Sequence, residues 1–227
     1  MDERDVTPPH DKFHRELTEL KSRLLELARL ARAAIQQSVS ALLAADAELA
    51  RQVIKGDAAV NSLEESIDAE CVRLIALFQP VAIDLRQVMA MDHIIAELER
   101  IGDSATNIAE EVLTLQQLPP PGIHPELARM AQEVQEMMRQ SLHAFMQQDP
   151  KLARQVCLAD NEVDDLDRAI IQDLLQDMAK NPETITSGQC QVNVVRNLER
   201  VGDHATNIAE QVVYMVEGES VRHRCQG

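Results

Sequence analysis

The chain of 227 residues is 45% hydrophobic, yet it has only three phenylalanines, one tyrosine and no tryptophan. This composition is typical of helical cores built from Leu, Ile, Val, Ala and Met. Its 38 acidic residues outnumber its 22 basic ones and give a formal net charge of −16. Because such a surface repels nucleic acid and anionic lipid headgroups, we expect no nucleic-acid partner.

The sequence also argues against secretion and membrane insertion. No uncharged apolar stretch approaches the length of a bilayer span, and residues 1–10 lack the apolar core of a secretory signal. We therefore expect a cytoplasmic protein. The four cysteines lie far apart without a Cys-x-x-Cys spacing, which argues against a zinc knuckle or a disulfide framework.

Helical periodicity runs through almost the whole chain. Apolar residues recur at three- and four-residue spacing from Leu17 to Ala34 and again from Ile67 to Phe78, which predicts two long amphipathic helices. The sequence predicts an all-α fold of about six helices and no β-sheet, because breakers divide the chain at regular distances. The predicted breakers are Asp46, Pro80, residues 119–122, Asp149-Pro150 and Asn181-Pro182.

An internal repeat is the most specific feature of the chain. Residues 99–110 read ERIGDSATNIAE and residues 199–210 read ERVGDHATNIAE, so ten of twelve positions are identical. Upstream, residues 46–61 align on residues 149–164 at an offset of 103. Short turns between long helices make neighbours antiparallel. We therefore expect two tandem three-helix bundles, related by duplication, at residues 13–118 and 124–217.

The repeat preserves polar residues on the third helix of each bundle. Glu99, Asp103 and Asn107 follow one another at steps of four residues, so they advance only about 40° per step around the helix. Like charges at this spacing destabilise a helix by about 0.2–0.5 kcal/mol, and a bound cation would reverse the sign. Core packing alone tolerates many apolar replacements, so the retained polar residues indicate a shared chemical task.

Hairpins that turn at Pro80 and at Asn181-Pro182 bring acidic residues of the preceding helix level with each polar stripe. We therefore predict two metal sites made of side-chain oxygens, and no catalytic residue. The predicted ligands are Asp57, Asn61, Glu99, Asp103, Asn107, Asp160, Asp164, Glu199, Asp203 and Asn207.

Oxygen ligands without His or Cys favour hard or borderline cations. We expect divalent ions, magnesium or manganese first, with calcium and iron as alternatives. Asn61 stands where the second half has Asp164, which predicts weaker binding in the first half. Gly102 and Gly202 each cost about 1 kcal/mol relative to alanine within a helix, so as a pair they indicate close approach of a neighbouring helix or a metal.

Several ordered motifs between Phe13 and His223 carry a family resemblance. They are Val-Asn-x-Leu-Glu at 60–64, Cys-Val-Arg-Leu-Ile at 71–75, Gln-Pro-x-Ala-x-Asp-Leu-Arg at 79–86 and the two copies of Leu-Glu-Arg-(Ile or Val)-Gly-Asp. Together they resemble the PhoU family of bacterial phosphate-transport regulators.

The resemblance implies a duplicated three-helix-bundle fold and a protein that is not an enzyme. It implies that helices with the Glu/Asp-x-x-x-Asp motif hold metal clusters, here at Glu99, Asp103, Glu199 and Asp203. Members of the family are cytoplasmic, often dimeric, negative regulators of the phosphate-starvation response. They link the phosphate transporter to a phosphate-sensing histidine kinase and restrain phosphate uptake. We therefore expect a homodimer that associates with the inner membrane through the transporter ATPase subunit and the kinase.

Two other functions stay open at this point. A carboxylate-bridged di-iron enzyme also uses acids on helices, but it requires Glu-x-x-His pairs, and none of the seven histidines has a glutamate three residues before it. A purely structural helical scaffold is the other alternative. It predicts that manganese leaves the melting temperature unchanged.

Overall fold

The structure is a computed structural model that describes residues 9–118 and 122–219. Over these ranges the chain forms six α-helices, one 3₁₀ turn and no strand, which confirms the predicted fold class. The helices are α1 (Pro9–Ala44), α2 (Ala47–Phe78), α3 (Ala82–Leu115), α4 (Glu126–Gln147), α5 (Pro150–Lys180) and α6 (Ile185–Glu217), with the 3₁₀ turn at Pro182–Thr184. The predicted breakers at 119–121 and the motif limit at His223 lie outside the described residues.

The repeated aspartates upstream of α2 and α5 begin these helices as N-caps. The side chain of Asp46 accepts hydrogen bonds from the backbone N–H groups of Glu48 and Leu49. Asp149 does the same at the start of α5, with Pro150 at the first helical position. Each cap satisfies backbone donors that have no partner inside the helix, and Pro has no such donor to lose.

α3 and α6 pack along each other at the centre of the molecule. They run antiparallel, because Asn107 meets Asn197 while Glu111, one turn further along α3, meets Asn193, one turn earlier on α6. On the outside, α2 packs on α3 and α5 packs on α6, and α1 and α4 complete the two bundles. The two third helices of the repeat therefore form the seam between the halves, which we call the α3–α6 seam.

Burial follows this arrangement. α3 and α6 each contact three other long helices and bury side chains on several faces, such as Ile94 and Leu98 on α3 and Val194 and Val201 on α6. The outer helices α2 and α5 bury a single stripe and leave the rest to solvent. None of the described helices is long and apolar enough to cross a membrane.

Candidate metal centres

The first acidic cluster lies between α2 and α3. Asp57 and Glu64 come from α2, and Glu99 and Asp103 come from α3. Burial raises the pKa of Glu99, and the other three carboxylates raise it further. Burial also raises the pKa of Asp103, with Asp57 adding to the effect and Arg200 of α6 opposing it. Burial and the acids of α2 therefore disfavour the charged forms of both α3 carboxylates, Glu99 and Asp103.

Asn61 partly offsets the charge repulsion within this cluster by donating a hydrogen bond to one of its carboxylates. Its Nδ2 donates a hydrogen bond to Asp57 Oδ2 at 2.9 Å. The other side-chain oxygens of the pair, Asp57 Oδ1 and Asn61 Oδ1, are buried and have no hydrogen-bond partner among the described residues. A buried oxygen without a donor is costly to maintain, and it is also a free ligand for a cation.

The second acidic cluster lies between α5 and α6. Asp160, the residue equivalent to Asp57, is only 6% exposed. Burial, followed by the charges of neighbouring carboxylates, raises the pKa of Asp160 to about 7. Burial is also the first cause of the raised pKa of Glu199 and of Asp203, and Asp164 adds to both. This cluster is thus the more buried and the more strongly coupled of the two.

Gly102 and Gly202 let the helices approach closely beside each cluster. A Cβ on Gly102 would lie 3.1 Å from Val60 Cγ1 and 3.7 Å from Asp57 Oδ1. A Cβ on Gly202 would lie 3.4 Å from both Asp160 Oδ1 and a methyl carbon of Val163. The close approach expected from the glycine pair is found at Gly102, whereas the nearest neighbours of Gly202 lie at ordinary contact distance.

The side-chain oxygens of each acidic cluster are of the type that a hard divalent cation prefers. Their side chains do not converge on one point in the structure. Within residues 9–118 and 122–219, no three His, Cys, Asp or Glu side chains form a ready metal-binding group. The carboxylates do face one another between two helices, and the first cluster adds two buried oxygens without partners. Carboxylate and amide oxygens are the ligands that magnesium and manganese prefer. Metal binding by these residues stays a prediction.

Two of the predicted ligands lie elsewhere, on the α3–α6 seam. Asn107 Nδ2 donates to Asn197 Oδ1 at 3.1 Å, and Asn207 Nδ2 donates to Glu97 Oε2 at 3.0 Å. Glu97 also contacts the Nδ1 of buried His204 at 2.7 Å. After two steps of about 40° the predicted stripe has turned from α2 or α5 towards the seam. The structure therefore does not bring these asparagines into the acidic clusters.

Sequence reasoning missed two members of the clusters. Glu64 contributes to the raised pKa of Glu99, and Asp167 contributes to that of Glu199. These two acids are equivalent at the repeat offset of 103, the same offset that relates Asp57 to Asp160. The offset could have revealed them, because both halves keep an acid at the third position after Asn61 and Asp164.

Comparison with known proteins identifies the family. The PhoU domain model matches residues 24–112 and again residues 127–212, once in each half. The chain belongs to the PhoU family. The expected resemblance is thereby confirmed.

Relatives from several bacteria cover nearly the whole chain. A "phosphate-specific transport system accessory protein PhoU homolog" of Pseudomonas putida is 38% identical over 93% of this chain and 83% of its own length. The homologue from Aquifex aeolicus is 39% identical over 94% of this chain and 96% of its own length. These PhoU relatives are named as accessory proteins rather than as enzymes.

Solved PhoU structures have the same fold. The crystal structure of PhoU from Pseudomonas aeruginosa matches with a TM-score of 0.87 and 37% identity, covering 91% of this chain and 100% of that one. The phosphate transport system regulatory protein PhoU from Streptococcus pneumoniae matches with a TM-score of 0.86 and 31% identity, covering 92% and 99%.

Proposed function

We propose that this PhoU-family protein is an accessory regulator that restrains phosphate uptake and represses the phosphate-starvation response. The support is its family membership and the names of its relatives, which are accessory or regulatory proteins of phosphate transport. In this proposal the protein is a cytoplasmic homodimer without catalytic activity. It acts as an adaptor between the transporter ATPase subunit and a phosphate-sensing histidine kinase, which hold it at the inner membrane.

Divalent cations bound by the two acidic clusters are the proposed switch. When bound, such an ion neutralises clustered carboxylates and changes the charge that the surface presents. In the first half, Asp57 and Asn61 of α2 hold the ion together with Glu99 and Asp103 of α3. In the second half, Asp160, Asp164, Glu199 and Asp203 do the same. Magnesium or manganese is the proposed ion, with iron as the alternative.

One observation carries the metal proposal: in both halves, an acid of one helix lies close enough to raise the pKa of an acid on the packed helix, Asp57 that of Glu99 and Asp203 that of Asp160. A purely structural role for these acids explains this poorly, because an acid kept only for solubility stays in water, whereas Asp160 is buried. A di-iron enzyme has less support, since the chain has no Glu-x-x-His pair.

The test is a pull-down of the transporter ATPase subunit and of the cytoplasmic part of the kinase by the full-length protein. Each is measured with manganese and after removal of metal by a chelator. The informative variant is Asp164→Asn. Its matched control is Asp165→Asn, because Asp165 is exposed and pairs with Arg168 at 2.5 Å outside the predicted ligand set.

We expect chelation to weaken capture of at least one partner about tenfold, a typical size for coupling between two sites. Asp164→Asn should weaken capture in manganese, whereas Asp165→Asn should behave like the wild type. Unchanged capture after complete removal of metal would take the metal out of the mechanism. Failure to capture either partner in any state would refute the adaptor role.

A further inference from the structure

A groove lies between α1 and α4, where the two bundles meet away from the acidic clusters. It has a volume of about 470 Å³. The apolar part of its lining includes the buried Ala28 and Leu142 and the half-buried Leu25. Met146 also lines it, and its side chain is 55% exposed. None of the residues that line this α1–α4 groove belongs to either acidic cluster.

Three exposed arginines line the α1–α4 groove. Arg29 and Arg32 come from α1, and Arg139 comes from α4. Arg29 pairs with Glu26 at 2.7 Å and Arg139 pairs with Glu136 at 2.5 Å, each on its own helix. Within residues 9–118 and 122–219, Arg32 has neither a hydrogen bond nor a salt bridge. The groove therefore keeps a positive charge that its own helices do not neutralise.

The charge of α1 sets this groove apart from the rest of the molecule. α1 carries six lysines and arginines against four aspartates and glutamates, whereas each of the other five α-helices has more acidic than basic residues. The whole chain has a formal net charge of −16. A local positive charge on a strongly negative protein directs an acidic partner to that place, because the remaining surface repels it.

The lining residues also have the spacing of two helix faces. Residues 25–36 of α1 contribute at steps of three and four and span about 16 Å of helix axis, which is three turns. Residues 139–146 of α4 contribute at the same steps. A groove of this kind, apolar and bordered by two helices, is the shape into which an amphipathic helix of a partner packs.

We propose that the α1–α4 groove binds an amphipathic helix of a protein partner, with glutamates or aspartates flanking its apolar stripe. The stripe packs on Ala28, Leu142 and Met146, and the acids pair with Arg32 and Arg139. The proposal rests on the adaptor role proposed above and does not depend on metal binding. An anionic membrane fits this surface less well, because the net charge of the chain repels lipid headgroups. The groove and the acidic clusters are then separate docking surfaces of opposite charge, as an adaptor for two partners requires.

The test uses two synthetic helical peptides of about 18 residues, one with a leucine stripe flanked by glutamates and one with lysines in place of the glutamates. Fluorescence anisotropy measures their binding to the full chain at about 50 and 300 mM salt. The groove variant is Arg32→Glu with Met146→Glu. Its matched control is Arg51→Glu with Leu158→Glu, the same changes at exposed residues of α2 and α5. Both variants also enter the pull-down of the transporter ATPase subunit and the kinase, light scattering, and sedimentation with phosphatidylserine vesicles, and circular dichroism checks that they fold.

We expect the wild type and the control to bind the glutamate peptide equally, and the groove variant to bind it about tenfold more weakly or worse. Higher salt should weaken binding to the wild type, because the contact with the arginines is screened. The groove variant should bind the lysine peptide no more weakly than the wild type. In the pull-down it should lose about tenfold in capture of one partner and retain the other, whereas the control retains both.

Failure of the groove and failure of the adaptor role are distinguishable. If the wild type captures neither partner, the adaptor role is wrong, and the peptide comparison alone decides the groove. If the wild type captures a partner but the groove variant captures both equally well, or binds the glutamate peptide as the control does, the groove proposal is wrong and the adaptor role stands. A groove variant that turns from dimer to monomer would make a second copy the occupant, and one that loses binding to the vesicles would make it a membrane; either result would overturn the proposal.

Discussion

The two halves of the molecule place equivalent aspartates in different surroundings. In the first half, Asp57 receives the amide of Asn61 at 2.9 Å. In the second half, the equivalent Asp160 is more buried and faces Asp164 and Asp203 instead. Duplication thus kept the helix geometry while the means of balancing charge diverged. The comparison teaches that the repeated backbone, rather than any single side chain, positions the clusters.

The α3–α6 seam also balances charge differently in the two halves. The largest expected effect of a substitution on stability lies there. On one side Glu97 contacts His204 and Asn207, whereas the equivalent Asn197 accepts a neutral amide from Asn107. Burial alone would raise the pKa of Glu97, but these contacts outweigh it and lower the pKa.

We expect Glu97→Ala to reduce the free energy of unfolding by about 3 kcal/mol, because it leaves the buried His204 and the half-buried Asn207 without their partner. Asn197→Ala should cost about 1 kcal/mol, since it removes neutral hydrogen bonds only. Urea unfolding of both variants measures the difference. Equal losses would mean that the charged side of the seam is no stronger than the neutral side.

Asp160 makes the stability of the metal-free protein depend on pH. Burial raises its pKa from the ordinary range of a carboxyl to about 7, so the folded state binds the proton more tightly. The resulting stabilisation is fully present below about pH 4 and is lost as the pH rises through 7. Other acids contribute to the total slope, so the informative quantity is the part that depends on Asp160.

We expect Asp160→Asn to raise the free energy of unfolding of the metal-free protein by about 2 kcal/mol at pH 8 and by much less at pH 4. Asp57→Asn is the matched change in the first half and should stabilise less, because Asp57 is less buried. Denaturant unfolding at the two pH values measures both. A gain for Asp160→Asn that is the same at both pH values would contradict the titration of this residue.

The smallest expected difference in stability lies between alanine substitutions at Gly102 and at Gly202. A new Cβ at Gly102 meets Val60 Cγ1 at 3.1 Å, whereas at Gly202 its nearest neighbours are 3.4 Å away, which is ordinary contact. Alanine gains about 1 kcal/mol of helix propensity over glycine at either position. We expect Gly202→Ala to keep more of this gain than Gly102→Ala, by about 0.5–1 kcal/mol. Thermal unfolding of both variants without metal measures this difference. A more stable Gly102→Ala than Gly202→Ala would contradict the packing distances.

Local signals in the sequence were sufficient for the helices but not for the seam. Asp46 and Asp149-Pro150 predict breaks between helices, because the ends of a helix depend on residues only a few positions away. The offset of the repeat, which is read directly from the sequence, likewise identifies which acids of the two halves are equivalent. The pairing of α3 with α6 depends instead on two apolar helices distant in sequence, so the four-residue spacing alone does not reveal that Asn107 and Asn207 form their hydrogen bonds across the seam.

The burial of Asp160 was also beyond sequence reasoning. Asp57 and Asp160 occupy equivalent positions in the repeat, yet only the second is buried. The difference arises from how α5 and α6 pack around Asp160, which no local signal in the sequence reports. The bond between Arg196 and Asp167 likewise joins residues 29 positions apart on two helices.

The most direct test of the acidic clusters as cation sites is thermal unfolding of the full chain at pH 8 after removal of metal, with and without manganese. The comparison protein carries Asp57→Asn, Asp103→Asn, Asp160→Asn and Asp203→Asn. We expect saturating manganese to raise the melting temperature of the wild type by about 5 °C or more, because it binds the folded state only. The variant should show almost no rise. An unchanged wild-type melting temperature, or an equal rise in the variant, would contradict the account.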